Sequence, residues 1–341
     1  MNETFKENKV VIIAEAGVNH NGSVEIAKRL VDEAARAGVD YIKFQTFKSE
    51  GIATKKAEKA DYQKETTGSE ENTQFEMIKK LEISYEGYDE IVAYCKEKGV
   101  KFFSTSTDHD SIEYLASLNM GMWKIPSGEV TNYEFLKKIA SYNQLTLFSL
   151  GMSDMQMIRE AVTCLYDNGL SKENLILLHC NTEYPTPYED VNLRAMKTIA
   201  DEFGVPVGYS DHTNGIEVPI AAVAMGAKVI EKHFTLDRNM EGPDHKASLE
   251  PDELCQMVKS IRNVEMALGD GVKRITDSER KNIVIARKSI VAACPIKAGE
   301  PFTDDNITAK RPGNGISPMR WMDVVGKIAK RDFDVDDLIE L

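Results

Sequence analysis

The stretch VPVGYSDHTNGIEVPIAAVAMGAKVIEKH, residues 205–233, decides the fold. Val205–Tyr209 and Lys228–Ile230 are brief and apolar, as strands buried on both faces should be. Between them, Ile216–Met225 reads as a helix. Strand, helix and strand in so short a span predict a parallel βαβ unit. Each strand runs into polar residues two apart, and therefore on one face: Ser210 and His212 after the first, Glu231 and His233 after the second.

Outward from this unit the same arrangement repeats. Val10–Ala14, Tyr41–Phe44, Val100–Phe103, Met122–Ile125, Leu145–Phe148 and Leu175–Leu178 are further strand candidates. Helical patterns separate most of them, at Ser23–Ala37, Tyr85–Lys98, Ser111–Leu118, Asn132–Ala140, Met155–Asn168 and Asn192–Phe203. Eight repeats predict an α/β protein, a (β/α)8 TIM barrel. An open doubly wound sheet is the alternative, but no G-x-G-x-x-G follows the first strand. The segment Phe47–Asn72 is long, polar and lysine-bearing, and is expected to be a lid, mobile in part before substrate binds. Pro251–Leu268 reads as the last barrel helix, and Gly269-Asp270-Gly271 breaks the chain. The expected organisation is a catalytic barrel over 1–268, a polar linker over 269–282 and a small domain of short strands over 283–341, beginning with a strand at Ser289–Ala293.

Composition narrows the function. With 42% hydrophobic and 28% charged residues the 341-residue chain reads as an ordinary globular protein. A net charge of −13 argues against nucleic acid and anionic membranes as partners. An anionic substrate would then need locally concentrated lysines or arginines. Cys95, Cys164, Cys180, Cys255 and Cys294 form no C-x-x-C pair, which suggests reduced thiols and a cytoplasmic protein. The polar start, Met1–Lys9, and the lack of a long apolar run predict neither a signal peptide nor a membrane span.

Barrel enzymes carry their chemistry at the C-terminal ends of the strands. Here those ends present Glu15, Lys43 and Gln45, Lys124 with Ser127, Ser149, the group His179, Asn181 and Thr182, and the residues of the opening stretch. Buried lysine or glutamate without a partner is costly, so charge at so many strand ends points to a site rather than to isolated structural ion pairs. Lys43 and Lys124 are candidate anion holders, with Thr105, Ser127, Ser149 and Ser210 completing a phosphate or carboxylate cradle. His212 and His233 fall at equivalent points of neighbouring strands, about 4.8 Å apart, and could share a divalent ion. Two hydrogen-bonded core histidines are the other reading. No third His or Cys is placed to close a tetrahedral site, so an open site suits Mn2+ or Mg2+ as well as Zn2+.

With these residues in view, the sequence resembles the sialic acid synthase family, legionaminic acid synthases included, over nearly its full length. The motifs are Ala14-Glu15-Ala16-Gly17-Val18-Asn19-His20-Asn21-Gly22, Lys43-Phe44-Gln45-Thr46, Lys124-Ile125-Pro126-Ser127-Gly128-Glu129 and His179-Cys180-Asn181-Thr182-Glu183-Tyr184-Pro185-Thr186-Pro187. Ser210-Asp211-His212, Glu231-Lys232-His233-Phe234-Thr235 and Gly242-Pro243-Asp244 continue the series. Lys310-Arg311-Pro312-Gly313-Asn314-Gly315 resembles the C-terminal antifreeze-like (SAF) domain of such enzymes. Departures are Ser106, where many relatives have proline, and Leu150, where threonine is usual.

The resemblance implies condensation of phosphoenolpyruvate with N-acetylmannosamine and water to give N-acetylneuraminate and phosphate. It implies His212 and His233 as metal ligands and Glu15 as the candidate acid/base; from its place at a strand end, Glu231 is the other carboxylate that could manage protons. Lys43, Gln45, Thr105, Lys124, Ser127, Ser149, Ser210 and either Thr182 or Asn181 would bind phosphoenolpyruvate. Tyr184 and Asp244 would bind the sugar, with Ser69 or Asn72 of the lid as a further contact. Arg311 would reach the acetamido group from the partner subunit of a domain-swapped homodimer. An alternative acceptor is a 2,4-diacetamido-2,4,6-trideoxymannose, giving a legionaminic acid. Alternatives of other classes are a metal-dependent hydrolase and a non-catalytic carbohydrate-binding protein.

Overall fold

A computed structural model describes residues 9–67 and 73–341; Ser69 and Asn72 lie outside the described residues, as do the first eight residues of the polar start. The chain divides into two units, the second beginning at Asp270.

The first unit carries eight parallel strands: β1 Val11–Gly17, β2 Tyr41–Thr46, β3 Lys101–Ser106, β4 Met122–Ile125, β5 Leu145–Ser149, β6 Leu175–His179, β7 Val207–Asp211 and β8 Val229–His233. Their order, β3-β2-β1-β8-β7-β6-β5-β4, is that of a barrel whose β3–β4 seam has no hydrogen-bonded ladder among the described residues. Helices follow the strands, as the sequence predicts. The one at Val24–Ala37 shows why they form: Ser23 Oγ caps the Ile26 N–H, Gly38 closes the end at φ +75°, and Ala27, Leu30, Val31 and Ala34 line the buried stripe.

Alternation along the strands sorts the barrel into layers. Facing the interior, Val11, Ile13, Tyr41, Phe103, Met122, Leu145, Leu147, Ile176, Leu178 and Val229 pack into one apolar cluster. The next residue on the same face of each strand, two positions on, is where the polar side chains begin: Glu15, Lys43, Thr105, Lys124, Ser149 and Glu231. The apolar layer is therefore the floor on which the polar layer stands. Gly208 shows how tight this interior is, since a Cβ there would meet Val229 O at 2.5 Å and Leu178 Cδ2 at 2.7 Å. On the outer face, Ile12, Ala14, Ile42, Phe44 and Ile230 join the larger core shared with the helices.

Three differences from the sequence reading stand out. Apart from β4, which ends at Ile125 as read, the strands run one to three residues further than their apolar runs, into the polar ends; β8 reaches His233 rather than stopping at Ile230. The long connection after β2 is partly helical, with short helices Ser49–Ile52, Asp61–Thr66 and Gln74–Lys80. The polar stretch before residue 283 forms much of a helix, Asp277–Ala286, started by a reciprocal cap between Thr276 and Glu279.

That helix belongs to the second unit, where β9 Ser289–Ala292 pairs antiparallel with β10 Ile307–Lys310. The unit has its own core, built on Ile290, Ile296, Phe302, Val324 and Phe333. Among the described residues no helix is long and apolar enough to cross a membrane.

Candidate active site

A cavity of about 420 Å³ opens at the C-terminal ends of the strands. Glu15, Lys43, Gln45, Thr105, Lys124, Ser127, Ser149, Ser210, Glu231, His212 and His233 all line it, as do Thr182 and Tyr184. The strand-end reading thus brings together side chains from all eight strands or the loops directly after them. A bulge on β1 between Glu15 and Gly17 shifts its register against β2 just past the Glu15–Lys43 pair, where the cavity begins.

The centre of the cavity is an alternation of charge. Lys43 Nζ lies 2.9 Å from Glu15 Oε1 and 3.6 Å from Glu231 Oε2, and donates to Thr105 Oγ1 at 3.0 Å. Lys124 Nζ lies 3.5 Å from Glu231 Oε1, which also accepts from Ser210 Oγ at 2.9 Å. All four charged side chains are at most 4% exposed. The two carboxylates differ sharply. Burial pulls Glu231 upward, but Lys124 and Lys43 outweigh it and hold the group down at about 2. Burial dominates at Glu15, and with the Glu231 charge adding to it the carboxyl rises to about 7 despite Lys43. Burial opposes the charge on Lys43, and its two carboxylates hold its pKa up; at Lys124 burial wins and the pKa falls.

Beside the lysines lies a hydroxyl-lined recess. Ser127 Oγ accepts from the Gly151 N–H at 3.0 Å and touches Cys180 Sγ at 3.1 Å. A Cβ at Gly151 would crowd Thr182 Cγ2 at 2.6 Å and Ser127 Oγ at 2.8 Å, so glycine is what lets the β5 and β6 loops meet here. Glu15 Oε2, Ser149 Oγ, Glu231 Oε2 and His233 Nδ1 are buried without a hydrogen-bond partner. Native proteins leave few such atoms. Four on one cavity mark where a polar ligand belongs.

The histidines sit next to one another, ring centres 5.2 Å apart. His212 Nδ1 faces the Asn181 carbonyl, which fixes the N–H there and leaves Nε2 as the lone-pair nitrogen, 3.2 Å from the Tyr184 hydroxyl. Burial lowers His212 to about 4 and His233 well below its ordinary value, so both are neutral and able to ligate. Asp244 Oδ2 approaches His233 Nδ1 at 3.8 Å, and burial raises that carboxyl to about 6. Among the described residues no three His, Cys, Asp or Glu side chains cluster as a metal cage. A lone-pair nitrogen on one ring and an orphan nitrogen on the other fit an ion held by two imidazoles and otherwise by water or substrate.

The remaining expected residues lie elsewhere. Asn181 does not line the cavity; its side-chain oxygen accepts the Glu183 N–H at 2.7 Å, and its carbonyl orients His212. Arg311 lies in the second unit, where Nε donates to Ala286 O at 3.1 Å. Conversely, Tyr62, Gln63 and Gln74 of the long connection, with Met152 and Cys180, line the cavity without having been singled out. Only Cys180 carried a usable signal, two residues beyond Leu178 on the inward face of its strand.

Comparison with known proteins follows the same lines. The model of the NeuB family matches residues 30–273, and that of the SAF domain matches 287–340. The chain is 50% identical to an N,N'-diacetyllegionaminic acid synthase of Campylobacter jejuni, over 97% of this chain and 99% of that protein. It is 36% identical to the N-acetylneuraminate-9-phosphate synthase of Homo sapiens, over 96% and 90% respectively. A crystal structure of N-acetylneuraminic acid (sialic acid) synthetase from Leptospira borgpetersenii in complex with citrate superposes with a TM-score of 0.69 at 34% identity, covering 81% of this chain and 90% of that one.

Proposed function

The chain belongs to the NeuB family of phosphoenolpyruvate-dependent, carbon–carbon bond-forming synthases, and from that premise we propose that its acceptor is a 2,4-diacetamido-2,4,6-trideoxymannose and its product a diacetyllegionaminic acid. The N-acetylmannosamine reading is the second one. The higher identity to a diacetyllegionaminic acid synthase than to the human N-acetylneuraminate-9-phosphate synthase, 50% against 36%, favours the first. Membership of an enzyme family removes the non-catalytic alternative.

The observation that carries the reaction type is the pair of buried lysines held by Glu231 beside orphaned hydroxyl and carboxyl oxygens. Lys43 and Lys124 offer two fixed cations to the carboxylate and phosphate of phosphoenolpyruvate, and the Ser127, Ser149 and Thr182 hydroxyls supply neutral donors. Glu231 stays ionised and keeps both ammonium groups in place while the site is empty of anion. A hydrolase has no comparable need for paired lysines at its core.

Glu15 manages the protons. Its Oε1 is taken by Lys43 and Gln45, leaving Oε2 to carry the proton and donate it. The methylene carbon of phosphoenolpyruvate forms a bond to the acceptor aldehyde carbon as its carbon–carbon double bond opens and the aldehyde oxygen takes the Glu15 proton. Water adds to the phosphate-bearing carbon this leaves electron-poor and returns a proton to the Glu15 carboxylate. The tetrahedral intermediate then expels phosphate, which leaves with the hydroxyl proton as the new ketone forms. His212 and His233 would hold a divalent metal, Mn2+ or Mg2+, which when bound supplies Lewis acidity toward the acceptor carbonyl. The test is turnover of phosphoenolpyruvate with each acceptor separately. Faster product formation with the diacetamido sugar is expected; preference for N-acetylmannosamine would overturn the acceptor assignment.

A further inference from the structure

Part of the cavity wall comes from the long connection between β2 and β3 rather than from the strand ends. On the helix Asp61–Thr66, Tyr62 lays its ring on Tyr184, with centres 5.3 Å apart and planes at 27°. Tyr184 in turn stacks on His212 at 4.1 Å. The aromatic wall therefore ends at the histidines, on the acceptor side, and not at the lysines. Tyr62 is held in place: the buried Gln63 accepts the Ala60 N–H at 2.9 Å and donates to the Tyr62 hydroxyl at 3.3 Å. Thr66 O accepts the Gly242 N–H at 3.3 Å, tying this helix to the loop that carries Asp244.

Gln74 opens the next helix of the same connection and lines the same cavity. Its backbone is fixed, with its N–H donated to Ala57 O at 2.9 Å and Thr73 capping the helix through the Glu76 N–H at 3.2 Å. Its carboxamide has no hydrogen-bond partner among the described residues. A half-buried, unpartnered carboxamide on a cavity that also has an aromatic wall suits a ligand group with both polar and apolar parts. An acetamido substituent offers a carbonyl that can accept from the Gln74 amide N–H, or an N–H that can donate to the Gln74 amide carbonyl, while its methyl packs on a ring. A ring hydroxyl in its place lacks the acetyl group and has no methyl to pack on the ring.

We propose that Tyr62 and Gln74 determine acceptor selectivity: Gln74 pairs with the second acetamido group of the sugar, and the Tyr62 ring packs against its methyl groups. The assignment of Gln74 rests on the acceptor reading above. It places specificity on the connection after β2 and leaves the chemistry to the strand ends.

The experiment compares wild type, Gln74→Leu, Tyr62→Ala and Tyr62→Phe, measuring kcat/KM for the 2,4-diacetamido sugar and for N-acetylmannosamine with phosphoenolpyruvate saturating. Gln74→Leu is expected to lower the diacetamido-to-N-acetylmannosamine ratio roughly 10- to 100-fold, because a site left with an unpaired polar group discriminates strongly. Tyr62→Ala is expected to lower it about 10-fold, and Tyr62→Phe, which keeps the ring, to restore it. The KM for phosphoenolpyruvate and the thermal midpoint serve as controls for a merely structural effect. If wild type prefers the diacetamido sugar but the variants leave the ratio unchanged, or lose both acceptors equally, the selectivity inference fails by itself. If wild type prefers N-acetylmannosamine, the acceptor reading fails and takes the Gln74 assignment with it.

Discussion

Replacing Glu15 with glutamine should make the enzyme nearly inactive and, in alkaline solution, more stable. The carboxyl is buried among Lys43, Gln45 and Glu231, and its pKa stands at about 7 against an ordinary 4.5. The folded value is the higher one, so between these two pH values the folded protein holds a proton that the unfolded chain has released. Stability therefore falls as pH rises across that window and stays lost above it. At about 1.4 kcal/mol per pH unit, the loss is on the order of 3 kcal/mol in metal-free protein. Glutamine is neutral at every pH and nearly isosteric, and Lys43 keeps Glu231 at 3.6 Å. In chelator-treated protein, urea unfolding at pH 8.5 should show Glu15→Gln more stable than wild type by about that amount, with little difference near pH 5. The kcat/KM of the loaded enzyme should drop roughly 10²- to 10⁴-fold, the usual worth of a positioned acid/base. A variant no more stable than wild type at pH 8.5, or one retaining most of its activity, would refute the idea that Glu15 is the buried proton carrier.

Other substitutions separate the parts of the site. Lys124→Met removes one of the two cations and leaves Glu231 short of a partner; it should raise the KM for phosphoenolpyruvate by about 100-fold or more, as loss of a buried charged contact does, with a smaller effect on the acceptor KM. His212→Ala and His233→Ala should each abolish stoichiometric Mn2+ binding, measured by calorimetry, and tight binding in either would remove the two-imidazole assignment. Gly208→Ala forces a Cβ to within 2.5 Å of the Val229 carbonyl and should cost about 1–3 kcal/mol in urea unfolding; a neutral result would show the barrel interior to be looser than described.

The barrel was legible because its strands alternate with helices whose stripes and caps are written locally, as at Ser23, Leu30 and Gly38. The strand ends were cut short for the same reason that they matter. An apolar run stops at Ile230, but the strand continues through Glu231 to His233, because backbone pairing with β7 and β1 does not depend on side-chain polarity. The short helices were missed for want of a stripe: Asp61–Thr66 buries only Gln63, and Asp277–Ala286 buries no side chain. The strand-end residues of the site followed from alternation and spacing. Tyr62 and Gln74 could not, since they reach the cavity through tertiary docking of a long connection rather than through strand register.

The central claim is that Lys43, Lys124 and Glu15 serve a condensation in which phosphate leaves from a carbon that water has attacked. Phosphoenolpyruvate labelled with 18O in its bridging carbon–oxygen position tests this most directly, with phosphate and sugar acid analysed by mass spectrometry in the presence and absence of the diacetamido acceptor. The account predicts that phosphate is released only when acceptor is present and that it carries the label. Phosphate formed without acceptor, or label retained in the sugar acid, would contradict it.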